Sequence, residues 1–364
     1  MSQSSSSRNF GLDLLRACAI FLVIGSHATY TVTQSNFFLA TLSHCLGAWG
    51  VELFFVLSGY LIGQVLLKIL DKAPVLDGRT LGHFYVRRWL RTLPNYYLVL
   101  ALALWLYASS TGGLPRGWES YLTFTQNLLD SRVGFFGHSW SLAVEEWFYL
   151  LFPLVLFSLA RFFSRRQALW TTLALFLLVP LLCRWALASQ LGASPFRMLQ
   201  KAALLRLDSI IYGVCGAACA RYFPGTWVSL RRFGWAPAFA MLLILGLGFH
   251  ASLEMRGAWA AVWVFPLTSI AFLLLVPRAE TLARPAVKAV EQLVTWVSLT
   301  SYSAYLLHPI FQVEFARLFN AAYTLPLAAV VKPVSWFVFI GAASWLLYRY
   351  FESPILRWRD RVAA

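Results

Sequence analysis

The sequence predicts an all-α integral membrane protein of about ten transmembrane helices with both termini cytoplasmic. Three observations predict it. Of the 364 residues, 59% are Ala, Val, Ile, Leu, Met, Phe, Trp, Tyr or Cys and only 12% are charged, against about 25% charged in a soluble domain. Ten apolar segments approach the ~20 residues that one bilayer crossing needs, with gaps too short for a sizeable soluble domain. Lysine and arginine are shared unevenly between alternate loops. Mean hydropathy is +0.65, so lipid is the natural solvent for this much apolar side chain. Disordered, fibrous and disulfide-scaffold classes are excluded.

The spans fall at about 11–30, 46–69, 89–109, 140–160, 168–188, 203–221, 234–251, 258–277, 293–316 and 325–349. They divide the chain into a tail over 1–10, a membrane domain over 11–350 and a tail over 351–364. Residues 118–129 read as a short interfacial helix, and the Ser-rich start as a solvated tail. Net charge is +15, from 30 Lys and Arg against 15 Asp and Glu. With the N-terminus inside, 20 of the 30 basic residues face the cytoplasm and nine, among them Arg184, Arg206 and Lys332, lie opposite. The excess is therefore read as topology, anionic lipid and an anionic cofactor rather than nucleic acid. The five cysteines lie mostly in apolar runs and show neither disulfide nor metal spacing. Asp13 and Arg16 interrupt the first apolar run, so it is read as a retained helix rather than a cleaved leader.

Ionisable residues at membrane depth are costly, so each is a candidate site. In the first span, GLDLLRACAIFLVIGSHATY, Arg16 and His27 are 11 residues apart. At 100° per residue they share a face, roughly 16 Å apart along the axis. That spacing suits a long ligand lying along the helix with its charged end inside. The alternative is an Arg16–Asp13 pair and a packed histidine. In the second span, GVELFFVLSGYLIG, Glu52 needs a partner or water, while Ser58 and Gly59 read as close packing or as a ligand wall. In FYVRRWLRTLP, Arg87 and Arg88 precede Arg91 by four and three residues, giving a guanidinium face that matches a phosphate or a lipid headgroup. The fourth span opens HSWSLAVEEWFYLLFP. Ser141, Glu145 and Tyr149 share a face there, with Trp140 ahead of them. Glu145 is placed to orient an imidazole; the alternative is a Ser141 cap with Glu145 and Glu146 at the helix dipole. Arg206 and Asp208 open the sixth span and read as an ion pair in a cavity wall. His308 sits deep in the ninth, in SYSAYLLHPI. The spacing of the histidines and acidic residues matches no metal-ligand pattern, so no metal is expected.

Together these segments resemble the acyltransferase-3 family of integral membrane acyltransferases over nearly the whole chain. LDLLRACAIFLVIGSH is similar to the family's first-helix Arg and His signature, GVELFFVLSGYLI to its FFxxSG segment, and RRWLRTLP to its RxxR element. HSWSLAVEEWFYLLFP resembles its WSLxxExxFY element with Glu145 at the matching glutamate, and RLDSIIYG and SYSAYLLHP resemble its later segments. Leu14 stands where members often carry Gly. His308 and Pro309 are adjacent where many have His-x-Pro. Some members carry an SGNH-type esterase domain after the last span, and none is expected here.

The resemblance implies a bacterial inner-membrane O-acetyltransferase that moves an acyl group, usually acetyl from cytoplasmic acetyl-CoA, to a sugar hydroxyl. The acceptor would be an exopolysaccharide or O-antigen repeat unit, or another lipid-linked oligosaccharide. On that expectation Arg87, Arg88, Arg91, Arg16 and Ser58 bind the donor. His27 is the base, or carries the acyl group transiently, with Glu145 and Arg16 assisting. Glu52, Trp140, Ser141, Tyr149, Arg206, Asp208 and His308 line the acceptor's place. Membrane lipids are the other expected partner. The rival readings are a secondary transporter of a lipid-linked sugar and an acyltransferase for a small molecule.

Overall fold

The structure is a computed structural model, describing residues 8–33, 37–73, 75–129, 134–188, 190, 199–251, 258–322 and 328–362. The helices, numbered here in chain order, are α1 Phe10–Thr33, α2 Phe37–Lys72, α3 Gly78–Thr111, α4 Trp140–Leu159, α5 Arg165–Ala188, α6 Leu207–Tyr222, α7 Pro224–Phe233, α8 Trp235–Ala251, α9 Ala258–Ala279, α10 Lys288–Ala322, α11 Ala328–Leu347 and α12 Ser353–Val362. No strand occurs among the described residues. A helix covers each expected span, save the first residues of the last, which lie outside the described residues. Among the described residues, seven helices are long and apolar enough to cross a membrane, or eight if the bent pair Pro224–Phe233 and Trp235–Gly246, angled at 64°, is one span. The long helices α3 and α10 cover two further expected spans but are not among those seven or eight, and both carry polar side chains into the bundle.

The bundle has the polarity of a lipid-dissolved body. Buried Phe55, Tyr60, Phe148, Phe152 and Leu156 fill its core. Trp105, Leu178, Leu182, Trp185, Leu243, Ile244 and Val338 stand more than half, or half, exposed on the outside. Apolar surface on that scale belongs against acyl chains.

Close approach is achieved with glycine where α2 crosses α6. A methyl group on Gly59 would run into the carbonyl oxygen of Ile210, and one on Gly213 into that of Val56. Small residues allow this backbone contact. Gly59 is thus a packing residue, whereas Ser58 beside it faces elsewhere.

Local chemistry sets the helix ends. Asp77 caps α3, accepting from the Thr80 backbone N–H at 2.8 Å and from its hydroxyl at 2.8 Å. Those bonds hold the Asp77 carboxyl below its usual range. Residues 118–129 do not form the expected interfacial helix. They make a five-residue 3-10 turn, Trp118–Leu122, and then turns, with Phe124 at φ 57°. The Tyr96 and Tyr97 hydroxyls donate to the carbonyls of Tyr121 and Leu122 at 2.9 and 2.8 Å, which holds the segment against α3. The segment after 350, expected as a tail, carries a helix over Ser353–Val362. A π turn, Tyr348–Glu352, joins α11 to α12. It carries the Glu352 carboxylate inward, where Asn95 donates at 2.8 Å and Ser303 at 2.6 Å. The first seven residues, the charges Arg132, Arg197 and Arg256, and the side chains of His250 and Lys332 lie outside the described residues.

Candidate active site

A cavity of about 200 Å³ runs between α1, α2, α3, α4 and α10. That is below the ~300 Å³ at which sites for drug-sized ligands begin, so it has room for only part of a large ligand. Arg16, Arg88, Arg91 and Glu145 supply charge to its wall. Ser58, Ser141, Thr92, Tyr302 and Tyr305 supply hydroxyls, and Phe54, Phe55, Leu57, Leu61 and Leu142 the apolar remainder.

Asp13 accepts from Arg8 at 2.6 and 3.0 Å and from the Ser298 hydroxyl at 2.7 Å. Arg16 lies 3.6 Å from the same carboxylate and donates to Ser298 at 3.4 Å. Arg8 therefore makes the closer pair with Asp13, and the Arg16 guanidinium is left to the cavity. Arg88 donates to Glu145 at 3.3 Å, and its guanidinium sits 3.7 Å from the centre of the Tyr149 ring. The Tyr149 hydroxyl donates to Glu145 at 3.3 Å and bonds to Ser58. Arg87 points away from this group. Its side chain is half exposed and meets Asp360 on α12 at 3.7 Å. Of the expected arginine face, Arg88 and Arg91 reach the cavity and Arg87 does not.

The acceptor-side expectations divide. Arg206 and Asp208 do not pair with each other. Arg206 pairs with Glu52 instead, and Asp208 takes a two-pronged bond from Arg184, at 2.8 and 2.5 Å, with both side chains almost fully buried. The reason is register. At the start of α6 the two residues leave the helix on different sides, one toward α2 and the other toward α5. Ser269 adds a 3.1 Å bond to Glu52, and the Arg206 guanidinium lies 3.7 Å from the Phe265 ring centre. Glu52, Trp140 and Arg206 line a second, water-sized cavity of about 30 Å³ rather than the main one. Ser141 does not cap α4. Its hydroxyl bonds to Tyr305 at 2.5 Å.

His27 is not on the cavity wall but beyond it, in a cluster of three histidines. The expected partnership of Glu145 with His27 gives way to the Arg88 and Tyr149 contacts, because Glu145 faces the cavity. His27 Nδ1 lies 2.7 Å from the Val23 carbonyl, so it carries the proton and donates there, with Ser26 Oγ 3.2 Å away. His27 Nε2 is then the bare nitrogen. His138 Nε2 approaches it at 2.8 Å and donates. His308, expected as a separate residue, joins them: its ring centre is 4.9 Å from that of His27 and 5.1 Å from that of His138. Tyr305 separates cavity from cluster. Its hydroxyl lines the former and donates to the His138 carbonyl at 3.2 Å.

Sequence reasoning missed two residues here. His138 lies just ahead of the expected start of the fourth span, outside the stretches in which an ionisable residue stands out at membrane depth. Arg184 was counted as a loop charge, although it falls inside the fifth span.

Comparison with known proteins places the chain. A family model described as an acyltransferase domain matches residues 9–349. The chain belongs to the acyltransferase-3 family. It is similar to YrhL of Bacillus subtilis, provisionally named a peptidoglycan O-acetyltransferase, at 34% identity over 161 residues, 40% of this chain and 23% of that one. It is also similar to the peptidoglycan O-acetyltransferase OatA of Listeria monocytogenes, at 29% over 160 residues, 40% of this chain and 24% of that one. A Staphylococcus aureus protein provisionally named an O-acetyltransferase is 30% identical over 170 residues, 43% of this chain and 26% of that one. The matched stretch is thus about a quarter of these relatives' own length. No solved structure matches.

Proposed function

We propose that this acyltransferase-3 protein is a membrane O-acetyltransferase that moves an acetyl group from acetyl-CoA, entering at the arginine end of the cavity, to a glycan hydroxyl arriving from the opposite face. One observation carries the reading. Tyr305 touches both places: it lines the cavity that carries Arg16, Arg88 and Arg91, and its hydroxyl bonds to Ser141 and to the carbonyl of His138 in the histidine cluster.

Arg88 and Arg91 are suited to the phosphates of the donor, because guanidinium forks bind oxyanions strongly. Glu145 and the Tyr149 ring hold Arg88 in place before the donor arrives. Arg16, next along, faces the acyl-bearing arm. His27 takes the acceptor proton. Its Nδ1–H is fixed on Val23, so the Nε2 lone pair points in a set direction. A hydroxyl that displaces the His138 N–H meets that lone pair. Its oxygen attacks the thioester carbonyl and its proton passes to His27. The carbon–sulfur bond then breaks, and the CoA thiolate leaves with the proton that His27 took. The relatives named for peptidoglycan make a glycan the favoured acceptor class, with exopolysaccharide and O-antigen units as further members. The arrangement suits the inner membrane of a bacterium, with the arginine end toward acetyl-CoA.

The test is transfer of label from [acetyl-14C]acetyl-CoA by membranes holding the protein, with the product hydrolysed and identified. O-acetylated sugar is the expected product. Flux of a lipid-linked sugar with no label transferred would instead make the protein a transporter.

A further inference from the structure

The histidine cluster is assembled from α1, from the turn before α4 and from α10. The ligand-capable atoms of His27, His138 and His308 all lie within 4.8 Å of one another. Two of the three rings are prepared in the same way. His27 Nδ1 donates to the Val23 carbonyl at 2.7 Å, and His308 Nδ1 donates to the Ala304 carbonyl at 3.2 Å. A backbone carbonyl on Nδ1 fixes the tautomer and leaves Nε2 bare, as the outer partners of metal-bound histidines do. His308 Nε2 is buried and has no hydrogen-bond partner among the described residues. An unpartnered buried nitrogen requires an explanation, and a cation supplies one.

We propose that His27, His138 and His308 bind one divalent ion of the zinc class. Imidazole nitrogen is a ligand of choice for zinc and its first-row neighbours, whereas magnesium and calcium demand oxygen. A tetrahedral ion with bonds of about 2.0–2.1 Å sets its nitrogen ligands about 3.3 Å apart. That separation lies between the 2.8 Å of the His27–His138 contact and the 4.8 Å outer limit of the group. Three protein ligands leave a fourth position for an oxygen, the pattern of zinc sites that do chemistry. The inference rests on the reading that the acceptor hydroxyl is activated at this cluster. It replaces one step of that reading: with the ion bound, His27 Nε2 is a ligand, and the ion rather than the imidazole polarises the acceptor hydroxyl.

The test uses the full chain purified in detergent and stripped with a chelator. Cobalt(II) chloride is titrated in while the visible absorption of a tetrahedral cobalt site is recorded, and bound cobalt and zinc are counted by elemental analysis. One ion per chain is expected. His138→Ala and His308→Ala should each weaken binding by about 100-fold or more, a loss at or beyond the upper end seen for outer-shell partners. Failure of the wild-type chain to take up cobalt, or uptake that both substitutions leave unchanged, overturns the site. If an alanine variant does not fold, His308→Gln and the thermal midpoint of the wild-type chain decide. The ion must raise that midpoint with concentration, and a midpoint indifferent to the ion counts against the site. Ion uptake without acetyl transfer would sink the proposed function and leave the site standing. Full acetyl transfer by the stripped protein would overturn the ion's part in activating the hydroxyl and leave the proposed function standing.

Discussion

At the residue scale, the chemistry turns on which side chains face the cavity and which face the cluster. His27→Ala should lower acetyl transfer by at least ~100-fold, the usual share of acid–base catalysis, while the protein still reaches the membrane fraction. Normal transfer by that variant would remove His27 from the reaction. Arg88→Ala should raise the KM for acetyl-CoA by about ten- to a hundredfold, the worth of one charge-assisted bond. Arg88→Lys should restore only part, since an ammonium cannot fork. Arg87→Ala should leave the KM where it was, because that guanidinium meets Asp360 on the outside. The helix repeat carries Arg16 and His27 to one side of α1, but it does not tell that Arg16 lines the cavity while His27 lies beyond it. Nor were the partners of His27 legible in the chain. His138 is 111 residues away, and nothing local in either segment announces their meeting.

At the scale of elements, buried charge and bare backbone hold the helices in register. Breaking the Arg184–Asp208 pair leaves one charge stranded inside the bundle. Arg184→Leu should therefore cost about 3–5 kcal/mol, read as a lowered thermal midpoint in detergent. Adding Asp208→Leu should recover most of it, since an apolar pair of similar volume leaves nothing stranded. Additive losses in the double variant would contradict that account. Gly59→Ala should destabilise by about 1–3 kcal/mol through overpacking against α6. The apolar stretches announced every long helix, because lipid imposes length and composition directly on sequence. The ion pairs were not legible in the same way. Arg206 and Asp208 are near neighbours in the chain, and only the packing of α2 and α5 on either side decides that each takes a distant partner.

For the whole molecule, the burial of Arg184 and Arg206 changes how its charge is counted. Neither lies in a loop, so neither informs orientation, and the remaining imbalance toward the face of the two termini grows. Reporter fusions should thus find both ends in the cytoplasm, and a reporter active outside at either end would reverse the assignment. The wide turn at Tyr348–Glu352 has a consequence of its own. It inserts one residue beyond the ordinary helical repeat, so everything after it is phased by that surplus. Deleting a single residue there would swing the final helix by about 100°. Glu352 would be pulled out of the grip of Asn95 and Ser303, and Asp360 would lose its place against Arg87. The ten residues of α12 are in effect clocked by one extra amino acid, so length changes upstream and downstream of that point should be tolerated very differently.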